Sequence, residues 1–140
     1  MLNLVPMNFG YKISTTDLQL IYTESGGAKI EVGAILIEHP EHKEKILYRN
    51  IELVFPIVAQ VKCVTMNFYE YNYSLIDKKL KPLTGFYEVE NSQCLSEKCE
   101  FDPHKRFDLR HYIVAGNDGY IELIASSKYS VNEKPIYRTV

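Results

Sequence analysis

The stretch RHYIVAGNDGYIELIA, residues 110–125, decides the fold. Apolar residues alternate up to Ala115, Gly116-Asn117-Asp118-Gly119 supplies the residue types of a tight turn, and alternation resumes at Tyr120. Successive strand side chains point to opposite faces, so a period of two on both sides of such a turn marks a β-hairpin. The chain around it is expected to be antiparallel β.

Towards the C-terminus a strand is expected at 129–131, and the polar, proline-containing residues 132–140 read as a flexible tail. Towards the N-terminus, 86–90 alternates as a short strand, and Asn91 or Ser92 can cap a one- or two-turn helix reaching Lys98. Leu95 would lie on its inner face. The polar residues 77–82 connect that strand to two β-branched and aromatic runs, 46–55 and 57–73, which meet at Pro56. Proline has no N–H for a ladder and marks an edge, bend or bulge. The second run is too long for one flat strand, so a bulge is expected near residues 65–67. Residues 17–23 and 28–38 alternate around Ser25-Gly26-Gly27, which reads as a second hairpin turn with positive φ. Ile35 and Ile37 make the end of the second strand apolar on both faces, so that end should enter the core. The charged segment 39–45, broken by Pro40, reads as an exposed loop. The fold class is therefore mainly β, an antiparallel sandwich or partly closed barrel of about seven to nine strands with one short helix.

At 140 residues, with 46% hydrophobic and 24% charged, residues 1–140 have the make-up of a single globular domain. Collagen, disorder and a disulfide scaffold are excluded. Eleven Tyr and six Phe with no Trp suit pleated, half-buried sheet. Sixteen Lys and Arg against eighteen Asp and Glu give a net charge of −2, so general nucleic-acid binding is disfavoured. No apolar run approaches the ~20 residues of a bilayer span, and the first residues lack a signal-peptide pattern. No membrane association and a cytoplasmic location are expected. Cys63, in an apolar run, reads as a buried thiol, and Cys63, Cys94 and Cys99 are all expected to be reduced.

Cys94, Cys99, His104 and His111 are the residue types of a zinc site, but structural zinc pairs usually sit roughly two to four residues apart with a long separation before the histidines, and His111 belongs to a strand with apolar neighbours. No metal site and no cofactor are expected. His39 and His42 among Glu38, Glu41 and Glu44 read as a solvated turn. No serine stands in a Gly-x-Ser-x-Gly setting, and no glycine-rich segment opens a helix as a phosphate cradle would. Two surface features suit a partner. Phe68, Tyr69, Tyr71 and Tyr73 offer large area with few rotors, and Glu88 and Glu90, with Glu97, Glu100 and Asp102, offer negative charge. Core packing and solvated faces explain the same residues.

The segments VENSQCL, residues 89–95, and DLRHYIVAGNDGYIELIA, residues 108–125, resemble a pattern in small uncharacterised bacterial proteins. Some of those are candidate immunity proteins of contact-dependent toxin systems. Ser92, His111, Tyr112 and Glu122 carry the likeness, and Cys94 stands where that family usually has a large aromatic. The resemblance implies a protein partner, a toxin. On physical grounds Ser92 is a cap, while His111 and Glu122 can pair across the hairpin and set its register. The expected function is a non-enzymatic interaction protein, an immunity-type inhibitor of a bacterial toxin. A small-ligand binding β-barrel with a Tyr- and Phe-lined interior is the alternative, and a hydrolase using His111 and Glu122 is a third. Open sheet edges would also let two copies pair as a homodimer.

Overall fold

The computed structural model describes residues 3–14, 17–37, 48–65, 84–95, 102–117 and 119–134. Ten strands lie among them: β1 (Asn3–Pro6), β2 (Tyr11–Ile13), β3 (Gln19–Thr23), β4 (Gly27–Leu36), β5 (Tyr48–Phe55), β6 (Val58–Val64), β7 (Gly85–Glu90), β8 (Leu109–Ala115), β9 (Tyr120–Ser126) and β10 (Ser130–Lys134). They form two antiparallel sheets. Sheet one runs β1-β7-β8-β9-β6 and sheet two runs β10-β5-β4-β2, with β3 also on β4. The architecture is a sandwich and not a closed barrel. The strand number exceeds the expectation because β1 and β2, four and three residues long, are too short to show a period.

The hairpin of 110–125 forms as read, with Ala115 opposite Tyr120 and Leu109 opposite Ser126. Alternation divides it between two cores. Tyr112, Val114, Ile121, Leu123 and Ala125 face sheet two, where they meet Ile30, Val32, Ile51, Leu53 and Phe55. Ile113, Ala115 and Tyr120 face the other way, in a second buried cluster with Leu4, Val64, Tyr87 and Val89. Both faces of β8 and β9 are therefore apolar, unlike a strand with one wet face.

Pro56 lies where the chain leaves β5 in sheet two and enters β6 in sheet one, so the proline marks a crossing between layers. The irregularity of β6 falls between Val58 and Gln60, upstream of the expected bulge, and 66–67 lie outside the described residues. Gly27 takes φ of 72° as the second hairpin requires, and a Cβ there would meet Phe55 O at 2.2 Å. Gly119 has another role: a Cβ would come within 2.7 Å of Val64 O, so the position is glycine for close approach. The end of β4 enters the core only in part: Ala34 is buried, Ile35 and Leu36 are half-buried although paired with β5 and β2, and Ile37, past the strand, is exposed. Residues 132–134, read as tail, pair with β5. The loop 39–45, with His39 and His42, lies outside the described residues.

Candidate functional site

β7 ends at Glu90, and Asn91 turns the chain with φ of 52°, a left-handed conformation that asparagine tolerates better than most residues. Ser92 then opens a helical turn. Leu95 N–H donates to Ser92 O at 3.2 Å and lies 3.4 Å from Ser92 Oγ, so Ser92 is the capping residue of the expected pair. The described residues stop at Leu95, before the rest of the expected helix.

Ser92 Oγ also lies 2.7 Å from His111 Nδ1, and His111 Nε2 lies 2.6 Å from Glu122 Oε1. His111 faces Ile124 in the ladder and Glu122 faces Ile113, so the pair spans a diagonal on one face. Beyond Glu122, Lys62 stands opposite it on β6 with Nζ 3.9 Å from Oε2. A polar chain thus crosses from the end of β7 through β8 and β9 to β6.

The hydrogen bond from His111 holds the Glu122 carboxyl below the usual carboxylate range, with the charge of Lys62 assisting, while burial opposes the shift. An ionised carboxylate only accepts, so Nε2 carries a hydrogen, and in the neutral ring Nδ1 accepts from the Ser92 hydroxyl. The inner end of the chain is buried, with His111 2% exposed and Ser92 7%, while the Glu122 and Lys62 side chains reach solvent.

Hydroxyl, imidazole and carboxylate in series are the parts of a proton relay. Acyl transfer would also need room for a carbonyl carbon beside Oγ. A cavity of about 210 Å³ beside Glu122 is lined by Gln60, Lys62, Cys94, Glu122 and Ile124, and neither Ser92 nor His111 borders it.

The four residues of the resemblance therefore divide. Tyr112, next to His111, points to the opposite face and packs among Phe55, Phe86 and Tyr129 with ring centroids 5.4, 5.6 and 6.0 Å away. Burial, aided by the Glu88 charge, raises its pKa. These rings pack against one another between the sheets, and a cavity of about 290 Å³ beside them is lined by Phe9, Tyr11, Phe86 and Tyr87 among others.

Phe68, Tyr69, Tyr71 and Tyr73 lie outside the described residues, as do Glu97, Glu100 and Cys99. Glu88 pairs with Arg110 at 3.5 Å, and Glu90 accepts a hydrogen bond from Asn3 Nδ2 at 3.0 Å. Asp102 accepts the backbone N–H groups of Arg106 and Phe107 at 2.8 Å each, which lowers its pKa and ties the approach to β8. Among the described residues, no three His, Cys, Asp or Glu side chains are placed to hold a metal. Cys63 is exposed, which corrects its reading as a buried thiol: β6 is an edge strand, and its apolar sequence there does not mean enclosure.

Lys62 and Cys94 border this site; Lys62 was not singled out by sequence, and Cys94 was read there only as a reduced thiol and a zinc-type ligand. The signal for Lys62 was its parity, since Gln60 and Lys62 alternate with Val61 on β6. Compared with protein-family models, curated proteins and solved structures, the chain matches none.

Proposed function

We propose that the protein is a non-enzymatic interaction protein of the immunity type, which inhibits a bacterial toxin by covering its site. The observation that carries this reading is the display of apolar side chains on edge strands. Val5 on β1 is 41% exposed, and Ile21 and Tyr22 on β3 are 48% and 55% exposed. Edge strands offer unpaired backbone groups, and apolar side chains beside them gain by burial against a partner. The mutual hydrogen bonding of Ser92, His111 and Glu122 supports the same reading, because groups tied to one another bind strands together rather than a substrate. The likeness of 89–95 and 108–125 to candidate immunity proteins points the same way.

The test is co-expression with the product of the reading frame adjacent to the gene. Relief of that product's toxicity, together with co-elution of the two chains, is the expected result. A toxic product left unaffected and uncomplexed would overturn the proposal.

A second reading, small-ligand binding, is favoured by a cleft of about 390 Å³ bordered by Leu18, Leu20, Cys63, Val64, Tyr120 and Ile121. Its volume falls within the ~300–1,000 Å³ of ligand pockets. Desolvation there pushes the Cys63 thiol up, so that cysteine is no activated nucleophile.

A further inference from the structure

A row of unpaired N–H and C=O groups invites pairing with another chain, so proteins guard their edges with charge, proline, bulges or brevity. Four of the five edge strands here are guarded. β1 carries Pro6, β6 carries Lys62 and the irregularity between Val58 and Gln60, β10 carries Glu133 and Lys134, and β2 is three residues long with Lys12. β3 is the exception. Its sequence QLIYT has no charge and no proline, and its register with β4 is unbroken from Gln19 to Thr23. Gln19, Ile21, Tyr22 and Thr23 are exposed, and no strand pairs with the outer edge of β3 among the described residues.

We infer that β3 is a self-association edge whose occupant is β3 of a second copy of this chain. The argument is its self-complementarity. Antiparallel pairing centred on Ile21 sets Ile21 against Ile21, Leu20 against Tyr22 and Gln19 against Thr23, all uncharged pairs. Beyond the strand, Glu24 faces Leu18 and Asp17 faces Ser25, so the acidic residues that flank β3 never meet each other. A two-fold axis through the Ile21 pair keeps equivalent faces on the same side and joins the β10-β5-β4-β3 layers into one continuous sheet. A pairing of five residues buries less than the ~1,200 Å² of a stable interface, so the dimer is concentration-dependent. This dimer does not depend on the toxin reading, and its test uses the chain alone.

Sedimentation equilibrium from micromolar to millimolar protein tests it, with Ile21→Glu and Ile21→Lys variants checked for folding by near-UV circular dichroism. Within one chain Ile21 faces Lys29, so Ile21→Glu gains a favourable cross-strand partner while placing two carboxylates together in the dimer. The expected result is a wild-type mass rising from 16.2 kDa towards twice that value. Ile21→Glu alone should stay monomeric, and an equimolar mixture of the two variants should recover the dimer. A wild type that stays monomeric throughout, an Ile21→Glu chain that dimerises as the wild type does, or a mixture that fails to pair would each overturn the inference. So would an edge that binds a toxin through Ile21 while the chain alone remains a monomer.

Discussion

Glu122 lies on the diagonal of the β8–β9 ladder from His111 and engages its Nε2 at 2.6 Å, while Ser92 engages Nδ1 at 2.7 Å. One buried imidazole therefore ties the segment after β7 to the central hairpin. Replacing Ser92 by alanine would leave a buried ring nitrogen unpaired, at a cost of about 1–3 kcal/mol. Urea unfolding of Ser92→Ala measures that cost, and an unchanged midpoint would mean that the chain adds nothing to stability.

The depressed pKa of Glu122 gives the pH dependence a sign. A carboxyl more acidic when folded contributes stability that is complete above its unfolded value near ~4.3 and is lost as pH falls through the lower folded value. Wild type should therefore exceed Glu122→Gln in stability near neutrality, with the gap closing in acid. Urea midpoints taken across that range provide the comparison, and a constant gap would contradict the assignment.

Gly27 and Gly10 both have positive φ, at 72° and 86°, but only Gly27 faces backbone. Gly10→Ala meets open space and should lose only the ~1–2 kcal/mol of a left-handed alanine. Gly27→Ala adds a collision with Phe55 O at 2.2 Å and should lose at least ~4 kcal/mol or fail to fold. Thermal melts of the two variants should separate clearly.

Phe55 joins Phe86, Tyr112 and Tyr129 with centroid distances of 6.1, 5.4 and 5.5 Å, linking the two sheets. Phe55→Ala should cost about 3–5 kcal/mol in equilibrium unfolding, as expected for a large aromatic removed from a packed core. A loss below 1 kcal/mol, by the same reasoning, would show a site able to collapse.

Glu31 and Glu52 stand directly opposite each other on β4 and β5, an arrangement that repels. Lys134 on β10 bridges them, bonding Glu31 and reaching Glu52 at 3.6 Å. Lys134→Ala should lower the melting temperature in dilute buffer, with the difference shrinking as salt screens the two carboxylates. A difference that salt does not change would assign the effect to packing.

Strand identity was legible wherever period two ran for five residues or more. The segments of β3, β4, β7, β8 and β9 follow from alternation and from Gly27, those of β5 and β6 from their β-branched and aromatic composition, and Ser92 as a cap follows from its residue type after a strand. β1 and β2 were not legible, since Asn3–Pro6 and Tyr11–Ile13 are shorter than the period needs. The pairing of His111 with Glu122 was legible as a cross-hairpin relation, because both lie on one hairpin. The place of Ser92 beside them was not, since Ser92 and His111 are brought together only by the β7–β8 pairing of distant segments.

The amino-acid order by itself settled that this chain is antiparallel β and that residues 110–125 fold as a hairpin, because both are local consequences of side-chain alternation and turn chemistry. The division into two sheets, the assignment of Tyr112 to one face and His111 to the other, and the place of β3 at an edge among the described strands were decided by tertiary structure. Each depends on which strands become neighbours, and that is fixed by burial summed over residues far apart in the chain.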